Sequence, residues 1–147
     1  MGFLNKPFFS KAEAEAIQQS IVEAEALCSG EIRVHIDKTC KADVMTQAQA
    51  TFLKLGMQKT ALRNGVLIYL VPAKKLMAII GDEGIHKLVG QDFWDEIYHQ
   101  MKTDFAQNHY SVGLQKGIVS IGQALKVHFP IQDDDQNELS NTISYGD

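Results

Sequence analysis

A chain of 147 residues, 45% apolar and 22% charged, is long enough for one domain burying about 70% of its unfolded surface. Three Pro, eleven Gly and two Cys exclude a collagenous chain or a disulfide scaffold. No apolar run nears the roughly 18 residues of a membrane helix, and the net charge of −4 excludes a phosphate-backbone binder.

The charge is uneven. Asp133, Asp134, Asp135, Glu138 and Asp147 crowd a stretch that has no Lys or Arg after Pro130, while the preceding body is near neutral. The organisation expected is one domain over 1–130 and an acidic tail over 131–147, mobile or loosely draped, with no nucleic-acid partner. Met1 to Lys6 lacks the apolar stretch of a secretory signal, and Lys6 occupies the position a myristoylation motif gives to Ser or Thr. A cytoplasmic location is therefore expected, and free thiols suit it. Cys28 and Cys40 bracket a strand of about seven residues, whose ends lie more than ~20 Å apart and out of disulfide reach.

Ser10-Lys11-Ala12-Glu13 is a capping box, in which a hydroxyl and a carboxylate each satisfy an orphan backbone N–H. The helix it opens carries Ala14, Ile17, Ile21, Ala24 and Cys28 on one face and stops at Gly30. Glu31 to Asp37 alternates strictly and predicts a strand with one apolar face. Asp43 caps a second helix with Val44, Ala48, Phe52 and Leu55 in a stripe ending at Gly56. Val66 to Val71 is continuously apolar and reads as a central strand covered on both faces. Pro72 to Lys75 turns the chain into Leu76 to Ile80, a hairpin, and after Gly81-Asp82-Glu83-Gly84 comes an irregular stretch in which a fourth strand around Ile85–Val89 is left open. Helices then follow from Asp92, bearing Trp94, Ile97, Met101 and Phe105, and from about Ser111 to Pro130. The order α-β-α-β-β-α-α predicts an α/β fold, with the first two strands parallel through a right-handed crossover.

Catalytic signatures are missing. Four residues separate Cys28 from Arg33 where a cysteine phosphatase loop needs five, and the five histidines are scattered. There is no phosphate-binding Gly-rich loop, Gly-x-Ser-x-Gly elbow or His-Glu-x-x-His helix. Asp133-x-Asp135-x-Asn137 opens like an EF-hand but has Glu138 for Gly at position six and Ser144 for Glu at position twelve. Glu31, Arg33, His35 and Asp37 share one strand face, either an acid–base or anion-binding row or a covered sheet edge with cross-strand ion pairs. With parallel first strands and a hairpin return, Glu31, Asn64, Asp82 and Glu83 converge at one end, with Asp92 closing the loop. Oxygen ligands flanked by Gly suit a hard divalent ion, Ca²⁺ before Zn²⁺; the alternative is exposed loop acids, with Asp92 serving its helix.

Phe8-Phe9-Ser10, Ser29-Gly30-Glu31-Ile32-Arg33-Val34, Arg63-Asn64-Gly65-Val66-Leu67 and Gly81-Asp82-Glu83-Gly84 together resemble the TPM domain family over about 8–128. The resemblance implies a three-layer α/β/α sandwich on a small mixed sheet, with Glu31, Asn64 and Asp82 around the family's site. Family members include phosphatases and cation binders, and no single activity is agreed. Relatives often carry Gly-Tyr-Gly-Leu-Glu where this chain has Asp82 and Glu83, and the two added acids favour a cation over a phosphate. Relatives often also carry a signal peptide and a membrane anchor; this chain is expected to stand alone, of a bacterial type. The leading expectation is a divalent metal, Ca²⁺, held by Glu31, Asn64, Asp82, Glu83 and Asp92 in a structural or regulatory role. The alternatives are a metal-assisted phosphatase, with the ion polarising a phosphoryl oxygen, and a module that binds a protein partner through the acidic tail.

Overall fold

The computed structural model describes residues 7–132 and 140–146. Ser10 caps α1 (Lys11–Glu25) as its spacing predicts, its hydroxyl accepting from the Glu13 N–H while the Glu13 carboxylate accepts from the Ser10 N–H. β1 (Glu31–Ile36) follows, then α2 (Val44–Lys54), opened by Asp43 accepting from the Thr46 N–H. β2 (Gly65–Val71) is buried along its whole length, as a continuously apolar strand must be. A short 3-10 turn over Pro72–Lys74, closed by Lys75 at φ 55°, leads into β3 (Leu76–Gly81).

The next segment departs from expectation. Residues 83–89, read as irregular, form a short helix, α3 (Glu83–Val89), capped by Asp82. Two turns of helix containing a glycine leave too little periodicity to read. α4 (Gln91–Ala106) and α5 (Tyr110–His128) complete the helices, and none is long and apolar enough to cross a membrane among the described residues.

The end of the chain also differs. Ile143 is buried, and β4 (Ser144–Tyr145) pairs with β1, so 143–146 is not a loose tail. The chain's polarity hid this, because a two-residue strand gives no periodic signal. The EF-hand-like acids Asp133 to Glu138 lie outside the described residues.

The mixed sheet runs β3-β2-β1-β4, with β1 parallel to both β2 and β4 and β3 antiparallel to β2. Ile32, Val34, Ile36, Val66 and Ile68 face a core built with Ile17 and Ile21 of α1, Trp94 and Met101 of α4, and Leu114 and Ile118 of α5. The opposite face carries Leu67, Tyr69 and Val71 against Ala48 and Phe52 of α2. Helices on both faces make the three-layer α/β/α sandwich. Cys28 is buried, Cys40 partly exposed, and neither is in a disulfide.

Candidate functional site

The register places Glu31 beside Gly65 and Val66 beside Gly81, so the backbone positions of Glu31, Asn64 and Asp82 lie at the same end of neighbouring strands. Their surroundings then separate them. Thr60, buried, uses its hydroxyl to hold the Asn64 N–H at 3.3 Å, and Arg63 takes a left-handed turn at φ 51°. That turn swings the Arg63 guanidinium onto Asp82, with Nε 2.7 Å from Oδ2 and Nη2 2.8 Å from Oδ1. Asp82 Oδ1 also accepts from the Glu83 N–H at 2.8 Å. Glu83, largely exposed, reaches the same arginine at 3.3 Å. The repulsion expected between these two acids is thus neutralised by Arg63, whose pairing with Asp82 raises its own pKa. Asp92 is exposed in the first turn of α4, where its charge suits the helix dipole.

Glu31 and Asn64 are 2% and 1% exposed. The Asn64 Nδ2 donates to the Ser29 carbonyl at 3.3 Å, while its Oδ1 is buried without a hydrogen-bond partner among the described residues. Glu31 meets an acid that sequence reasoning passed over. Glu25, in the last turn of α1, hydrogen-bonds to the Glu31 side chain and accepts the Ile32 N–H at 2.7 Å. Burial pushes the Glu25 carboxyl up to about 8, and the adjacent Glu31 charge adds to the rise. An acid at a helix C-terminus, against the dipole, was the available signal. Among the described residues no three His, Cys, Asp or Glu side chains gather into a metal-holding group.

The other end of β1 carries a second cluster. His35 and Asp37, from the alternating polar row, are nearly buried. The His35 Nε2 lies 2.8 Å from Asp37 Oδ1, and the Tyr69 hydroxyl donates to Asp37 Oδ2 at 2.5 Å. Burial and the neighbouring Asp37 raise the Tyr69 pKa, keeping the phenol protonated as a donor. On the far side of the ring, His35 Nδ1 is 2.6 Å from the Ser144 hydroxyl of β4. His35, Asp37 and Ser144 line a cleft of about 430 Å³ that is also lined by Lys41 and by Thr51 and Lys54 of α2.

The fold has counterparts among known proteins. The family model of the TPM domain matches residues 5–124. The chain belongs to the TPM domain family. This TPM domain is similar to the BA42 protein from the psychrophilic bacterium Bizionia argentinensis, with 43% identity and a TM-score of 0.90 over 96% of this chain and 97% of that one. The N-terminal domain of the cg2496 protein from Corynebacterium glutamicum shares the fold alone, with 17% identity and a TM-score of 0.65 over 80% of this chain and 74% of that one. So does the N-terminal domain of a P. gingivalis protein, with 19% identity and a TM-score of 0.66 over 84% and 82%. Among curated proteins none matches the chain.

Proposed function

We propose that this TPM domain binds a hard divalent cation, Ca²⁺, through Glu25, Glu31 and Asn64, and that the ion orders the edge where β1 and β2 begin. The observation that carries the reading is the Asn64 Oδ1, a buried carbonyl oxygen without a hydrogen-bond partner among the described residues, on the edge where two carboxyl groups already meet. Calcium takes carboxylate and amide oxygens and completes its shell with water, so three protein ligands suffice for a modest site. The ion would replace the proton that lets two carboxyls sit together and would satisfy the amide oxygen in one step. Asp82 and Glu83, matched by Arg63, would serve as the wall behind this site.

Calorimetric titration of the metal-stripped protein tests this. Calcium should bind with one-site stoichiometry, and binding should weaken at least about 10-fold in Glu31→Gln and in Glu25→Gln, each removing one charged ligand. Glu83→Gln and Asp92→Asn should bind as the wild type does. At 100 times the dissociation constant the ion adds about 2.7 kcal/mol, or roughly 5–10 °C of melting midpoint for a domain this size. Wild-type affinity in both inner variants, or loss confined to the outer two, would remove the reading.

A further inference from the structure

The cluster at the other end of β1 has an order to its hydrogen bonds. Asp37 accepts on both oxygens, from the Tyr69 phenol and from His35. A carboxylate can only accept, so the proton between it and the imidazole belongs to His35 Nε2. In the neutral ring that leaves Nδ1 as a bare lone pair, and the group facing it at 2.6 Å is the Ser144 hydroxyl. With Nδ1 bare the hydroxyl can donate to it, and the Val34 carbonyl, 3.3 Å from Oγ, is its other acceptor.

The fold supports this local arrangement. His35 and Ser144 are register partners in the parallel β1–β4 pair, and the Gly146 N–H holds the strand by donating to the Ile36 carbonyl at 2.8 Å. Gly146 passes so close over the pair that an added Cβ would lie 2.0 Å from Asp37 Oδ1, so only glycine lets this backbone cover the His35–Asp37 bond. The chain leaves β1 toward α2 on one face of the sheet and reaches β4 after α5 on the other. The cleft lies at the carboxyl ends of the parallel strands β1 and β4, the end at which open α/β sheets take their ligands. His35 and Asp37 lie about 13 and 20 Å along β1 from Glu31, apart from the proposed cation site.

We propose that Ser144, His35 and Asp37 act as nucleophile, general base and orienting acid for acyl transfer from a small ester bearing a negative charge. Ser144 Oγ forms a bond to the acyl carbon as its proton passes to His35 Nδ1. The C–O bond to the leaving alcohol then breaks, and the alkoxide takes that proton. Water repeats the sequence: its oxygen bonds to the acyl carbon, one proton passes to Nδ1 and then to Ser144 Oγ, and the carboxylic acid departs. Asp37 stabilises the imidazolium formed in between, and Tyr69 is a positioning residue that holds Asp37. Lys41 and Lys54, both lining the cleft, select the anionic substrate.

The test uses the full chain and a fluorophosphonate probe, which forms an Oγ–P bond as fluoride leaves and the serine proton goes to His35. Mass spectrometry should find the label on Ser144 in preference to every other serine. Labelling should vanish in Ser144→Ala and fall about 100-fold or more in His35→Gln. Asp37→Asn, which lets the ring take the wrong tautomer, should slow it strongly, whereas Tyr69→Phe should slow it less. Circular dichroism and melting of each variant separate lost chemistry from lost fold. In parallel, the nitrophenyl monoester of succinic acid should be cleaved with a higher kcat/KM than nitrophenyl acetate, and Lys41→Gln with Lys54→Gln should erase that preference. An unlabelled Ser144 in the folded wild type, or equal labelling rates in a folded His35→Gln, overturns the proposal. Equal turnover of both esters overturns the anionic substrate class.

Discussion

Gly84→Ala is expected to destabilise the domain by about 3 kcal/mol, lowering its melting midpoint by roughly 6–12 °C. A Cβ at this position would lie 2.2 Å from the Leu62 carbonyl oxygen and 2.5 Å from that of Arg63. Both are backbone atoms and cannot rotate aside as a side chain would. The Gly84 N–H also donates to the Arg63 carbonyl at 2.8 Å, so α3 is stapled to the turn that aims Arg63 at Asp82. Pushing the helix away would lengthen that bond and strain the bidentate ion pair together. Alanine's better helix propensity returns only about 1 kcal/mol, so the clash wins. Leu88→Ala, on the same helix but half exposed, serves as the control and should move the midpoint little. A Gly84→Ala midpoint within a degree or two of wild type would mean that α3 is not tightly seated on this turn.

The same glycine shows what the sequence could and could not tell. Gly81-Asp82-Glu83-Gly84 was legible as a motif, and strand logic brought Asp82 to the edge shared by Glu31 and Asn64. One alternating strand and one continuously apolar strand made that inference possible, since the register follows once β1 and β2 are parallel and β3 turns back. The partner of Asp82 was not legible, because it depends on Arg63 adopting a left-handed backbone, and nothing in a pattern of residue types announces one. Counting acids without their counter-cation overstated the negative charge of the loop.

His35 and Asp37 stood out as part of an alternating polar row, but the row's chemistry depends on what covers it. Tyr69 belongs to an apolar run and Ser144 to a polar stretch more than one hundred residues away, so neither could be attached to His35 by spacing. A strand of two residues is positioned by Ile143 in the core and by backbone pairing, not by its own propensity. Periodic signals locate elements, and they fail where tertiary contacts alone decide.

Glu25 gives the second large effect, and its sign is opposite to that of a salt-bridged acid. The unfolded chain ionises this carboxyl near 4.5, and the folded one near 8, because burial beside Glu31 disfavours the charge. Between those values the native state therefore holds a proton that the unfolded state has lost. Stability must fall as pH rises through this window and level off on either side of it. The full shift corresponds to about 4–5 kcal/mol; Glu25 keeps some solvent contact, so a loss of about 2–3 kcal/mol between pH 4.5 and 8.5 is expected, or roughly 5–10 °C. Glu25→Gln keeps an oxygen for the Ile32 N–H and removes the ionisation. Its midpoint should match wild type near pH 4.5 and exceed it at pH 8.5, with the difference growing between pH 5 and 8. Melts of the metal-free proteins across that range decide the matter, since two parallel curves would mean that Glu25 titrates alike in both states. Calcium supplies the independent check. At pH 8.5 it should recover in the wild type the stability that ionisation removes, and it should do little for Glu25→Gln, which has neither the charge to neutralise nor the second carboxylate to offer.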